Sequence, residues 1–118
     1  MPDAQSVFRL VDAQDAEGNA ALFAADGRFV MGNNGPAQGR EAIVAGSKAF
    51  FTMVKGIRHQ LLHEWTVGAE TIAETDVTYL RQDGKEVTVP AVSIWRVGED
   101  GLIVDYRVFV DQAPVFAP

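Results

Sequence analysis

Two hydrophobic rhythms divide the chain: apolar positions recur at helical spacings in the first half and alternate along extended runs in the second. Val7, Phe8, Leu10 and Val11 form an apolar stripe that Asp3 or Ser6 can cap and Gly18 can stop. A second short helix is predicted over residues 19–25, then one strand over residues 28–31 that leaves through a Gly- and Asn-containing loop stiffened by Pro36. Ile43, Val44, Phe50, Phe51 and Val54 return to helical spacing between Gly39 and Gly56, which predicts the longest helix. Gly46 inside it is unfavourable by about 1 kcal/mol relative to Ala and is read as the mark of a close packing contact.

From Ile57 onward, turn signals at Gly68-Ala69-Glu70, Gln82-Asp83-Gly84-Lys85 and Gly98-Glu99-Asp100-Gly101 separate four runs rich in Val, Thr, Ile, Trp and Tyr. The expected result is a meander of four long antiparallel strands preceded by helices, an α+β fold. Pro90 lies inside the third run, so that run should carry a bulge or lie where the proline nitrogen needs no partner. Val89, Ala91, Ser93, Trp95 and Val97 share one face of the same run, and Thr88, Val92, Ile94 and Arg96 share the other. Apolar side chains on both faces need two covers. Helices supply one, and a twofold homodimer through the outer sheet face is expected to supply the other.

Both histidines fall in RHQLLHEW, at His59 and His63. On a helix they would stand about 6 Å apart and could share a metal; on a strand they share a face but lie roughly 13 Å apart. The run ends in Trp-Thr-Val and feeds a hairpin, which favours strand. No HExxH pattern is present either, so no metal site is expected.

Composition narrows the function classes. Sixteen Asp and Glu against ten Lys and Arg give a formal net charge of −6 without a basic cluster, which argues against nucleic acid and against anionic membranes as partners. The absence of cysteine removes disulfides, thiolate nucleophiles and Cys-ligated metals. The N-terminal stretch is too polar for a signal sequence and no apolar run approaches a bilayer span, so a cytoplasmic location is expected. No nucleotide-binding glycine motif and no Gly-x-Ser-x-Gly elbow occurs, so no cofactor is expected.

ALFAADGRFVMGNNGPAQGREAI, GIRHQLLHEWTVG, DVTYLRQDGKEVTVPAVSIWRV and DYRVFVDQAPVF, in that order, resemble the SnoaL-like branch of the nuclear-transport-factor-two superfamily, home of ketosteroid isomerases, limonene epoxide hydrolases and polyketide cyclases. The resemblance covers essentially the whole chain and implies one domain over residues 1–118. It implies a cone-shaped curved antiparallel sheet around about three N-terminal helices, a cystatin-like roll whose mouth opens on an apolar pocket. The positions used by the isomerases align here with Val7, Ser93 and Met31, and those used by the epoxide hydrolases with Val77, Thr75, Val108, Phe29 and Met31. Methionine cannot abstract a proton, so neither inherited mechanism is expected.

The resemblance and the strand alternation together imply a pocket for a small hydrophobic molecule, lined by Phe29, Met31, Asn33, Thr75, Val77, Ala91, Ser93, Trp95, Tyr106 and Val108. Candidate proton-moving groups are His59, Tyr79 and Asp111. Each has a purely structural alternative: His59 as a packing residue, Tyr79 with its hydroxyl in water, Asp111 in an ion pair near Arg107. Two functions stay open: an isomerase, cyclase or hydrolase acting on a small hydrophobic carbonyl compound, or a non-catalytic module that binds such a ligand.

Overall fold

The computed structural model describes residues 2–118. The elements are α1 (Ala4–Asp12), α2 (Ala16–Ala20), β1 (Phe23–Met31), β2 (Ala37–Gln38), α3 (Arg40–Phe51), β3 (Val54–Val67), β4 (Glu70–Arg81), β5 (Glu86–Val97), β6 (Ile103–Val110) and α4 (Ala113–Phe116). The fold is α+β, with one curved, unclosed six-stranded sheet in the order β2-β1-β6-β5-β4-β3. Strands β3 to β6 form the expected antiparallel meander. β1 joins its far edge parallel to β6.

The turns follow from glycine. Gly68, Gly84 and Gly101 take positive φ at the three hairpin turns, where a side chain would be strained. The N-terminal half departs from the glycine signals instead. α1 is capped by Asp3, whose carboxylate accepts from the Ser6 N–H at 2.8 Å, and it ends before Gln14, the only described non-glycine residue at positive φ. Gly18 therefore does not stop α1. It lies inside α2, where its N–H donates to the Asp15 carboxylate that caps that helix.

Three further expectations are corrected. The second helix covers Ala16–Ala20 rather than residues 19–25, because β1 already begins at Phe23, with a register irregularity before Arg28. Gly56 does not bracket α3 but sits within β3, where the pairing with β4 shifts between Val54 and Gly56. Gly46 marks no close contact: a Cβ built on it would meet nothing within 4 Å. Pro90 pairs with Asp76 in unbroken register, so no bulge forms there. It stands just beyond the last β5–β6 pair, Ala91 with Val110, where its missing N–H leaves no ladder carbonyl unpaired.

Strict alternation on β4 and β5 buries Thr71, Ala73, Thr75, Val77 and Tyr79, together with Val89, Ala91, Ser93 and Trp95, on the inner face. The helices cover this face in two clusters. Phe8, Phe23, Ile43, Trp95, Ile103 and Tyr106 pack in one; Val54, Ile57, Val77, Tyr79, Val89 and Val115 pack in the other. On the outer face Trp65, Ile72 and Ile94 stand in register across three strands, next to the pair Val92 and Phe109. Trp65 and Phe109 are exposed. Among the described residues no helix is long and apolar enough to cross a membrane.

Candidate functional site

A cavity of about 230 Å³ opens between the two core clusters, with the inner sheet face as its floor and α1, α2 and α3 as its roof. Phe29, Met31, Val77, Ala91, Ser93, Tyr106 and Val108, all assigned to a pocket from the sequence, line it. So do His59 and Tyr79. α3 contributes Ile43, Gly46, Ser47, Phe50 and Phe51, none of which had been singled out as pocket residues. The missing side chain at Gly46 leaves room at the cavity wall, which accounts for a glycine in mid-helix better than close packing does.

Four expected residues lie elsewhere. Trp95 is fully buried but away from the cavity, stacked on Tyr106 at 5.2 Å with Phe8 edge-on at 6.1 Å, and its Nε1–H donates to the Pro2 carbonyl at 3.1 Å. Thr75 turns its hydroxyl to the Ala91 carbonyl of the adjacent strand at 3.2 Å and does not reach the cavity surface. Asn33 and Asp111 line a separate, more polar hollow with Asn34 and Gln112, which meets the main cavity at Met31 and Asn34. The Asp111 carboxylate accepts from the Ala113 N–H at 3.0 Å and so caps the turn into α4. That bond, rather than an ion pair with Arg107, is its role in the fold; Arg107 pairs with Asp105 at 3.2 Å.

The two histidines part company at a β-bulge. Pairing between β3 and β4 shifts between Leu61 and His63, so Leu62 is the extra residue. The insertion cancels the shared face expected from the spacing of four. His59, opposite Val77, looks inward; His63, opposite Glu74, looks outward. His63 accordingly meets Glu74 at 2.7 Å and stacks on Trp65 at the surface.

His59 has a partner that the sequence reading did not find. Its Nδ1 lies 2.5 Å from Asp12 Oδ1, and its backbone N–H donates to Asp12 Oδ2 at 3.1 Å. The Phe8 ring stacks on the imidazole at 4.4 Å and 5°. One carboxylate thus grips both the backbone and the ring of His59, while the phenyl clamps the ring plane. With Nδ1–H donated to Asp12, Nε2 is the ring nitrogen left for a molecule in the cavity. Asp12 does carry a readable signal. It follows Phe8 by four residues and so extends the α1 stripe of Ala4 and Phe8 with an acid that faces the sheet.

Tyr79 is a further polar group on the cavity wall, which also carries Asn19, Asn34, Ser47 and Ser93. Its hydroxyl accepts from the Gln112 side-chain amide at 3.2 Å, and burial pushes the phenol above its ordinary range, against a smaller downward pull from that bond. His59 pairs with Val77, so His59 and Tyr79 are diagonal neighbours on adjacent strands, with side chains starting roughly 7–8 Å apart. A small molecule can touch both. Tyr106, buried on the same inner face as Ser93, is held strongly toward its neutral form by desolvation, against a smaller downward pull from Ser93.

This fold recurs among solved structures. A protein of ketosteroid isomerase-like fold from Catenulispora acidiphila, solved with trimethylamine, superposes with a TM-score of 0.87 at 17% identity over 96% of this chain and 88% of its own. A protein described as a SnoaL-like polyketide cyclase from Jannaschia gives a TM-score of 0.76 at 18% identity, covering 97% and 91%. The epoxide hydrolase/cyclase-like enzyme SalBIII, linked to pyran ring formation in salinomycin, gives 0.78 at 17% identity, covering 92% and 88%. At these identities the likeness speaks to fold alone. No curated protein sequence matches the chain significantly. The SnoaL-like domain model, however, matches residues 4–106, and the chain belongs to that family.

Proposed function

We propose that the chain is an acid–base enzyme of the isomerase, cyclase or hydrolase kind, acting on a small, neutral, largely apolar carbonyl compound. The observation that carries this reading is the Asp12–His59 pair, which places His59 on the wall of a cavity lined mostly by aromatic and aliphatic side chains, with Asn19, Asn34, Ser47 and Ser93 as its other polar members. In such a site His59 Nε2 accepts a proton from a carbon or oxygen of the bound compound, and the Asp12 carboxylate stabilises the imidazolium that results. Tyr79 donates to the carbonyl oxygen on which negative charge collects. The proton then returns from Nε2 to the new position, which completes an isomerisation or ring closure without a cofactor. The negative net charge and the apolar wall both disfavour an anionic substrate.

The proposal extends to a twofold homodimer through the outer sheet face. The apolar row of Trp65, Ile72 and Ile94 and the exposed Phe109 support that assembly.

The test is deuterium exchange at the α carbon of 1-indanone in heavy water, followed by NMR. The wild type is expected to accelerate exchange over buffer, with His59→Gln at background and Asp12→Asn reduced by about a hundredfold. Binding of 1-indanone without any accelerated exchange would make the chain a binding module instead.

A further inference from the structure

Gln112 lies outside the cavity, in the turn between β6 and α4, and its segment is tied down on all sides. Asp111 caps the turn at Ala113, Val115 is buried against the sheet, and Arg81 donates to the Ala117 carbonyl at 2.6 Å. From this fixed base the Gln112 amide reaches Tyr79 with its nitrogen end, donating to the hydroxyl oxygen at 3.2 Å. A phenolic hydroxyl has one hydrogen to give and limited capacity to accept. With an acceptor position occupied from behind by Gln112, what Tyr79 offers the cavity is its hydrogen.

His59 is polarised in the opposite sense by the same logic. Asp12 takes the Nδ1–H, so Nε2 offers a lone pair. His59 and Tyr79 therefore present an acceptor and a donor on a diagonal of neighbouring strands, each fixed by a residue remote in sequence. We infer that Gln112 is a positioning residue that sets the polarity of Tyr79, and that it thereby selects ligands presenting a hydrogen-bond acceptor, such as a ketone or ether oxygen, at that end of the cavity. The inference rests on the cavity being a small-molecule site. It deepens that reading by naming Gln112 as the residue that makes Tyr79 a donor and so restricts which ligands the site takes.

Two bicyclic probes of similar size separate the possibilities: 1-indanone, whose carbonyl only accepts, and indole, whose N–H only donates. The quantity to measure is the ratio of their affinities by titration calorimetry. Gln112→Glu replaces the amide donor by a carboxylate acceptor, to which Tyr79 would turn its own hydrogen. The indanone-to-indole preference is then expected to fall by about tenfold relative to wild type, the size of one hydrogen bond exchanged for a mismatch. Gln112→Leu, which releases Tyr79 to rotate, should fall between the two. In a Tyr79→Phe background Gln112→Glu should leave the ratio unchanged, a result that a merely structural role of Gln112 would not produce.

A second measurement needs no ligand and covers the case in which Gln112→Glu does not fold. The chain has two tyrosines, so in a Tyr106→Phe background ultraviolet titration reads Tyr79 alone. Removing an amide donor by Gln112→Leu should make Tyr79 harder to ionise. An easier ionisation would mean that the amide oxygen faces the hydroxyl, and would overturn the inference. So would an unchanged probe ratio in both Gln112 variants. The proposed function stands or falls separately, on whether 1-indanone binds and exchanges; if neither probe binds the wild type, both readings fail together.

Discussion

His59 and His63 are the same residue type on the same strand, each with its Nδ1 against a carboxylate, yet they stand in opposite surroundings. The His59 side chain is 12% exposed, with Phe8 over its ring and an apolar cavity beside it. The His63 side chain is 65% exposed, and its pairing with Glu74 is a surface contact of the kind that contributes little. A His–carboxylate pair in itself therefore says little about chemistry. What distinguishes the inner pair is a mostly apolar wall, a ring held by stacking, and one carboxylate that also fixes the backbone. The whole difference follows from a single extra residue, Leu62, that turns the strand over.

The widest gap between the two faces should appear in stability. Trp95 is 0% exposed and wedged between Phe8 and Tyr106, whereas Trp65 is 48% exposed on the outer face. Trp95→Ala is expected to destabilise the fold by about 3–5 kcal/mol in urea unfolding. Trp65→Ala should cost the protomer under about 1 kcal/mol, measured well below any concentration at which copies associate. Equal losses would mean that the outer tryptophan is buried in solution.

Next in size is the contrast in chemistry. Asp12→Asn should lower 1-indanone exchange by about a hundredfold, because Asn cannot stabilise the imidazolium as a carboxylate does. The matching outer substitution, Glu74→Gln beside His63, should leave exchange unchanged within error. A comparable loss from Glu74→Gln would end the distinction between the two pairs.

The inner face also holds both tyrosines of the chain, and this predicts an alkaline weakness. Burial raises the Tyr79 and Tyr106 phenols above their ordinary range. The folded state thus keeps these protons more tightly than the unfolded chain does. Their contribution is intact below the ordinary phenol range, near pH 10, and declines as the pH rises above it, by up to about 1.4 kcal/mol per pH unit for each tyrosine. Tyr106→Phe keeps the ring on Trp95 and should flatten that decline by roughly half. A slope unaltered by the substitution would assign the alkaline loss to other groups.

The smallest expected effect concerns the cavity roof. Gly46→Ala should stabilise the protein by up to about 1 kcal/mol, since the helix gains propensity and the new methyl meets open space. The same methyl projects at the cavity wall, so 1-indanone should bind more weakly although the fold is tighter. Unchanged affinity would place the ligand away from α3.

Much of this was legible in residue order. The three glycine turns, the alternation along β4 and β5, and the apolar stripe of α1 are local patterns, and each produced the element it predicted. Nine of the residues read as pocket or proton-moving groups line one cavity, because alternation on a strand determines its face wherever the register is unbroken: Phe29, Met31, His59, Val77, Tyr79, Ala91, Ser93, Tyr106 and Val108. Trp95 shows the limit of that rule. It shares the face of Ser93, but the face alone does not say where along it the helices pack tightly and where they stand away.

By itself the sequence determined the α+β class, the order of α1, α3 and the four meander strands and the inward set of each regular strand, since these depend on side-chain periodicity over a few residues; β2, α4 and the early start of β1 it did not give. Only the tertiary structure decided that Asp12 grips His59 across 47 residues, that Gln112 holds Tyr79 across 33, and that Leu62 sends the second histidine outward. Those contacts depend on how separate elements pack and slide into register, and no local period encodes that distance or that slip.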